Sequence, residues 1–123
     1  MNTDLRNELL DRGLSDMLQL GEMAHVARRH LPAASDERDV VAATLEVITD
    51  FLESKYAIVG DVRRDPDDGL LYVHSWALGP TDTAERIERE WLAIGRLEGL
   101  GEVCWLELTQ NGRLEARRLG LGG

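Results

Sequence analysis

A glutamate and a histidine three residues apart could ligate a metal ion. Glu22-Met23-Ala24-His25 has the Glu-x-x-His spacing that di-iron proteins place on helices. Such a site needs two copies of the motif and two further carboxylates, and this chain contains one copy. We therefore interpret Glu22 and His25 as ordinary surface or boundary residues and predict no metal site.

Carboxylates also cluster in the middle of the chain, at Asp61, Asp65, Asp67 and Asp68. A calcium loop of the EF-hand type requires glycine at its sixth position and glutamate at its twelfth. Counting from Asp61, the sixth residue is Pro66, and counting from Asp65, the twelfth is Trp76. The cluster is therefore interpreted as a solvated turn.

A thiol could act as a nucleophile, and the chain has one cysteine, Cys104. Cys104 lies in an apolar stretch beside Trp105, where cysteines are usually inert packing residues. Catalysis would require a partner such as His74, which would have to meet Cys104 in a pocket with converging polar groups. We predict no catalytic residue and no cofactor, and we keep a small ligand-binding protein as an alternative.

One central element is expected to organise the rest of the chain: a helix over residues 36–54 that continues into a strand. Apolar residues recur at helical spacing and give one buried face. The opposite face carries Glu46, Asp50 and Glu53, and the segment contains six acidic residues and one basic residue, a net charge of −5.

The remaining patterns predict an α+β fold in one domain over residues 1–123. Further helices are predicted over 3–12, 20–31 and 82–98, a strand hairpin over 56–62 and 70–76, and a strand over 103–109. Thr3 is the expected N-cap of the first helix and Gly13 its end, and Asp82 with Glu85 resembles a capping box. Residues 17–19 are expected to be extended, whereas 113–119 could form a helix or a strand that follows the Asn111-Gly112 turn signal.

This order of elements resembles the winged helix-turn-helix superfamily over residues 3–76. Thr44 to Leu52, followed by Ala57-Ile58-Val59, is similar to a recognition helix that runs into the wing. Trp105 to Arg113 resembles the LTxxGR stretch that closes many bacterial winged-helix domains. The resemblance implies DNA binding by a transcriptional regulator.

The charges argue against that function. A recognition helix presents arginine, lysine, asparagine or glutamine to the major groove, whereas this helix presents acids. The formal net charge of the chain is −9, which disfavours binding to phosphate backbones and anionic lipid. The arginines that could contact DNA in the alternative are Arg28, Arg29, Arg63, Arg64 and Arg113, with Arg117 and Arg118 close by.

The sequence therefore favours a non-catalytic protein-interaction module, winged-helix-like, that forms homodimers or binds a basic partner. An immunity or antitoxin protein would have such an acidic surface, because it can cover the basic active site of a nuclease. The predicted contact residues are Glu46, Asp50, Glu53 and Trp76, the last because tryptophan is frequent at interface hot spots. Without a signal peptide or an apolar run of about 20 residues, the chain is expected to be cytoplasmic and not membrane-bound.

Overall fold

The computed structural model describes residues 1–95 and 97–122. Over these residues the chain has an α+β fold with five α-helices and a four-stranded antiparallel sheet. The helices are α1 (Thr3–Ser15), α2 (Leu20–His30), α3 (Glu37–Glu53), α4 (Pro80–Ile94) and α5 (Gln110–Arg118). The strands are β1 (Leu18–Gln19), β2 (Ala57–Arg64), β3 (Leu71–Ser75) and β4 (Trp105–Leu108), and a 3-10 helix spans Leu97–Glu102.

The sheet has the strand order β1-β4-β2-β3. Strand β2 pairs with β4 from Ala57 to Gly60 and with β3 from Gly60 to Arg64. A Cβ atom at Gly60 would lie 1.8 Å from the carbonyl oxygen of His74, so only glycine permits this approach of the two strands. Beyond Gly60 the β2–β3 hairpin continues as a ribbon of two strands.

Helix α3 begins with a reciprocal cap, which confirms the predicted start. The carboxylate of Asp36 accepts a hydrogen bond from the N–H of Asp39, and the carboxylate of Asp39 accepts one from the N–H of Asp36, both at 3.0 Å. The predicted apolar stripe is buried, with Ile48 and Phe51 fully so. Burying such a side chain contributes roughly 1.5–3 kcal/mol, so the stripe fixes α3 at the centre of the fold.

The core lies among α1, α2, α3 and the sheet, and α4 closes it on the α3 side. Helix α4 contributes Thr83, Ile87 and Trp91, all at most 2% exposed. The predicted helix over 20–31, the extended residues before it and the hairpin are confirmed with boundary shifts of one or two residues. Every helix that the structure describes is too short or too polar to traverse a lipid bilayer.

The first helix begins at Thr3 as predicted, but its predicted N-cap and its predicted end are wrong. Its N-cap is Asn2, whose side chain accepts from the N–H of Leu5, and the helix continues through Gly13 to Ser15. A Cβ atom at Gly13 would lie 2.8 Å from Cγ of Leu108. Gly13 therefore permits close packing of α1 on β4 and does not end the helix.

The helix predicted over 82–98 is present with shifted ends, as Pro80–Ile94, and the predicted Asp82–Glu85 capping box is wrong. Helix α4 begins at Pro80, and its N-cap Gly79 makes no side-chain cap bond. Proline suits the first helical position because its fixed φ matches the helix and the N–H it lacks would be unpaired there. The helix ends at Ile94 because Gly95 has φ +70°, while position 96 lies outside the described residues.

The C-terminal segment, for which the sequence left two options, forms helix α5. The hydroxyl of Thr109 accepts from the N–H of Gly112 at 3.2 Å and caps the helix. The Asn111-Gly112 pair is thus the first turn of a helix and not a hairpin turn. A Cβ atom at Gly112 would lie 2.0 Å from the carbonyl oxygen of Tyr56, so this glycine lets α5 dock against the start of β2. The preceding strand is shorter than predicted, covering 105–108 of the predicted 103–109.

Candidate functional site

The three acids that the sequence singled out on α3 line an open groove between α3 and α4. The groove consists of two adjoining depressions of about 590 and 370 Å³ that share Ala42, Leu45 and Glu88. The larger one is lined by Met1, Ala42, Leu45, Glu46, Thr49, Asp50, Glu53, Ala84 and Glu88, and the smaller one adds Arg38, Val41 and Leu92. We call this surface the α3–α4 groove.

The groove has an apolar floor and a mainly acidic rim. Ala42, Leu45 and Ala84 lie on the floor, and Leu92 is 57% exposed at one end. The acidic rim consists of Glu46, Asp50, Glu53 and Glu88, whereas Arg38 lies at the Leu92 end. The groove therefore offers apolar contact along its length and four acidic side chains around its larger depression.

Two of the predicted acids have intramolecular partners. Asp50 accepts from Arg6 Nε at 2.8 Å, and Glu46 lies 3.1 Å from the amino group of Met1. Glu53 and Glu88 are exposed, and neither forms an ion pair within residues 1–95 and 97–122. The free negative charge of the rim is therefore concentrated on Glu53 and Glu88.

Trp76, the fourth predicted contact residue, directly follows β3 and does not line the groove. Its ring is half-buried and is covered by Arg86, whose Cζ lies 3.7 Å from the ring centroid, a cation–π distance. Its Nε1 donates to Asp61 at 3.2 Å. Trp76 is thus engaged by Arg86 and Asp61 and is not among the residues that line the α3–α4 groove.

The arginines that the DNA alternative requires are held in several different environments. Arg28 is paired with Glu37 and Arg29 with Glu8, so both are partly neutralised. Arg113 donates to the carbonyl oxygen of Leu14 at 3.3 Å, at the end of α1. Arg63 and Arg64 are exposed on the hairpin.

Glu8 is the centre of a polar cluster on α1 and α2. Its carboxylate accepts from Arg12 Nε at 2.9 Å and from Arg29, and it lies 2.7 Å from His30 Nε2. Burial raises the pKa of Glu8, but the hydrogen bonds from His30, Arg12 and Arg29 outweigh it and lower the pKa to about 2. The cluster ties the C-terminal end of α2 to α1.

The residues considered for catalysis or metal binding are not assembled into a site. Cys104 is 1% exposed in the core, and burial raises the pKa of its thiol to about 12, whereas His74 is exposed on β3. Glu22 is paired with Arg12 and His25 is exposed. Among the described residues, no group of three or more His, Cys, Asp or Glu side chains could hold a metal ion.

The turn aspartates have a structural role. The carboxylate of Asp65 accepts from the N–H of Asp67 at 2.7 Å, and that of Asp68 accepts from the N–H of Leu70 at 2.8 Å. In both cases the aspartate side chain accepts from the N–H two residues further along, a hydrogen bond that aspartate commonly forms in turns. These carboxylates therefore hold the hairpin turn.

Sequence reasoning missed the half of the groove that α4 contributes. Glu88 and Leu92 are four residues apart, so they share one side of α4, next to the buried Ile87 and Trp91. The one available signal was Leu92, an apolar residue outside the buried stripe of its helix. Which element this side faces depends on tertiary packing that no local pattern encodes.

No protein-family model matches this chain, and comparisons with curated proteins and with solved structures likewise give no match.

Proposed function

We propose that this protein is a non-catalytic interaction module that binds a basic, amphipathic segment of a partner protein in the α3–α4 groove. The observation that carries the proposal is the composition of the groove, in which Glu46, Asp50, Glu53 and Glu88 surround a floor of Ala42, Leu45 and Ala84. An amphipathic helix binds such grooves through its apolar face. The acidic rim then selects partners with lysine or arginine beside that face.

The charges act mainly on partner choice and on the association rate. Exposed ion pairs contribute little to affinity, but a field of one sign steers a partner of opposite charge and repels partners of like charge. The net charge of −9 adds to the same field. Glu53 and Glu88 contribute most to recognition, because Glu46 and Asp50 already have cationic neighbours.

The proposal includes a winged-helix-like arrangement of the chain. Three helices followed by the β2–β3 hairpin correspond to the element order of that superfamily. In this arrangement α3 takes the position of the recognition helix but presents its acids to a protein. A homodimeric regulator or an immunity or antitoxin protein would use the surface in this way.

The test uses two designed helical peptides of about 18 residues, one with leucine and lysine faces and one with leucine and glutamate faces. We expect the lysine peptide to bind at low salt and the glutamate peptide not to bind, as measured by fluorescence anisotropy. Glu53→Lys/Glu88→Lys should weaken binding about tenfold or more, because it reverses the free charges of the rim.

The matched control is Glu85→Lys/Glu102→Lys, which changes the net charge equally at two exposed acids that do not line the groove. This variant should lose at most about threefold in affinity. Equal losses in the two variants would show a nonspecific charge effect and would contradict the proposal. Leu92→Ser tests the apolar contribution and should weaken binding without altering its dependence on salt.

A further inference from the structure

We propose that a second copy of this chain binds to the outer part of the β2–β3 hairpin, independently of the α3–α4 groove. The surface consists of Tyr72 and His74 on β3, Asp61 and Arg63 on β2, and Leu70 and Asp65, which directly adjoin these strands at the turn. We call it the hairpin face. It suits a two-fold contact between identical chains, in which the same surface is used by both copies.

The strand register puts these six side chains on one side of the ribbon. Arg63 lies opposite Tyr72 and Asp61 lies opposite His74. The N–H of Asp65 donates to the carbonyl oxygen of Leu70 at 2.8 Å, which extends the same register by one pair. Directly opposite residues in an antiparallel pair point to the same face, and residues two apart on a strand do so too.

This face of the ribbon is open except at Asp61, whose carboxylate accepts from Trp76 Nε1 at 3.2 Å. Leu70 is 67% exposed and Tyr72 is 37% exposed, whereas Val73, which points to the other face, is 3% exposed. The ring of Tyr72 contacts that of His74 edge to face, with centroids 6.5 Å apart, so the two rings form one continuous surface. A ribbon of two strands has little stability of its own, and covering one side would stabilise it.

The charges of the hairpin face identify the occupant. One acidic, one basic and one acidic side chain follow each other along β2 and the residue after it, at Asp61, Arg63 and Asp65. DNA, an anionic lipid surface or any purely acidic surface would be repelled by the two aspartates, and a purely basic surface would meet one like charge at Arg63. A second copy, offset along the strand, offers an aspartate to each arginine and an arginine to an aspartate of its partner, so both contacts form at once.

The contact uses the face of the ribbon and not its edge. Backbone hydrogen bonds join Trp76 to Val59 and Asp65 to Leu70. Hydrogen-bonded and non-hydrogen-bonded pairs alternate along an antiparallel ladder, so Val73 belongs to a non-hydrogen-bonded pair and its N–H points away from β2. That N–H donates to the carboxylate of Glu107 at 3.3 Å. The middle of the β3 edge is therefore occupied within the chain, which prevents a neighbouring strand from pairing there.

The first test is sedimentation equilibrium between about 5 and 200 µM protein. We expect a reversible monomer–dimer equilibrium for the wild type and about tenfold or greater weakening in Leu70→Ser/Tyr72→Ser. The control Leu114→Ser/Leu119→Ser removes two exposed leucines, one on α5 and one directly after it, which are 53% and 37% exposed, and should leave the equilibrium unchanged. A wild type that remains monomeric, or a control that weakens the dimer equally, would overturn the proposal.

A charge exchange tests the two-fold pairing directly. Arg63→Glu alone and Asp61→Lys alone, the latter leaving the turn carboxylate of Asp65 in place, each place like charges opposite one another, and we expect each to weaken self-association about tenfold or more. An equimolar mixture restores opposite charges at both contacts and should recover the wild-type dimer within about threefold. A mixture as weak as its components would refute the assigned pairing, provided that far-UV circular dichroism shows both variants folded.

Discussion

Glu8 shows how one side chain can join two helices. Its carboxylate meets Arg12 on its own helix and Arg29 and His30 on α2. No short-range sequence pattern links Glu8 to residues 21 and 22 positions further along. The spacing of Glu8 and Arg12 predicts a helical ion pair, but the contribution of α2 depends on the packing of the two helices.

Replacing Glu8 should make the protein less stable at neutral pH and less sensitive to acid. The pKa of Glu8 is about 2 in the folded chain and 4.5 ordinarily, so its contribution is complete above about pH 4.5 and is lost as the pH falls towards 2. Glu8→Gln should lower the free energy of unfolding at pH 7 by about 1–2 kcal/mol, allowing for partial solvent screening.

Urea unfolding at several pH values measures this difference. The wild-type and Glu8→Gln curves should converge between pH 4.5 and 2, because the wild type loses the ionised carboxylate in that interval. Glu85→Gln, at an exposed acid, should follow the wild type throughout. A constant offset between the Glu8→Gln and wild-type curves would show that the charge of Glu8 is not what stabilises the fold.

At the scale of elements, prediction succeeded where the signals were local. The start of α3 and the proline–aspartate turn of the hairpin depend on residues within a few positions of one another. The start of α4 was mispredicted because Pro80 and Asp82 are both good helix starts, and only the structure shows that Gly79 and Pro80 are used. Gly13 and Gly112 resemble helix and turn signals in sequence, but their role is to permit contact with distant backbone or side-chain atoms.

Gly112→Ala should therefore be destabilising, although alanine is the better helix former by about 1 kcal/mol. Its methyl group would lie 2.0 Å from the carbonyl oxygen of Tyr56, so α5 must shift away from β2. We expect a loss of about 2–3 kcal/mol in the free energy of unfolding, measured with urea. Asn111→Ala, an exposed position in the same turn, should change it by at most about 0.5 kcal/mol. A Gly112→Ala variant as stable as the wild type would disprove the close docking.

At the scale of the whole molecule, the α3 side of the groove could be predicted and the groove itself could not. Glu46, Asp50 and Glu53 follow from helical periodicity, because they lie opposite the apolar stripe. Glu88 and Leu92 lie opposite them only because α4 packs beside α3, which is a contact between segments more than thirty residues apart. The pairing of Asp50 with Arg6 is long-range in the same sense, with a separation of 44 residues.

The distribution of charge over the whole chain also predicts that DNA is not a ligand. With a net charge of −9, and with Arg28 and Arg29 paired to acids, we expect no binding of a duplex of about 20 base pairs at low ionic strength. Fluorescence anisotropy with a labelled random duplex checks this expectation. Binding that weakens with salt and disappears in Arg63→Glu/Arg64→Glu would instead favour the DNA-binding alternative.

The single buried cysteine allows local opening of the core to be measured by chemical modification, without introducing a reporter residue. Cys104 is 1% exposed next to β4, and its thiol has a pKa of about 12, so in the native state it is both shielded and protonated. An alkylating reagent can react only when this part of the core opens. Because the chain has no other thiol, the mass added per molecule over time counts opening events at one known place. The rate of modification therefore reports how often the centre of the molecule becomes accessible, under native conditions and in any of the variants above.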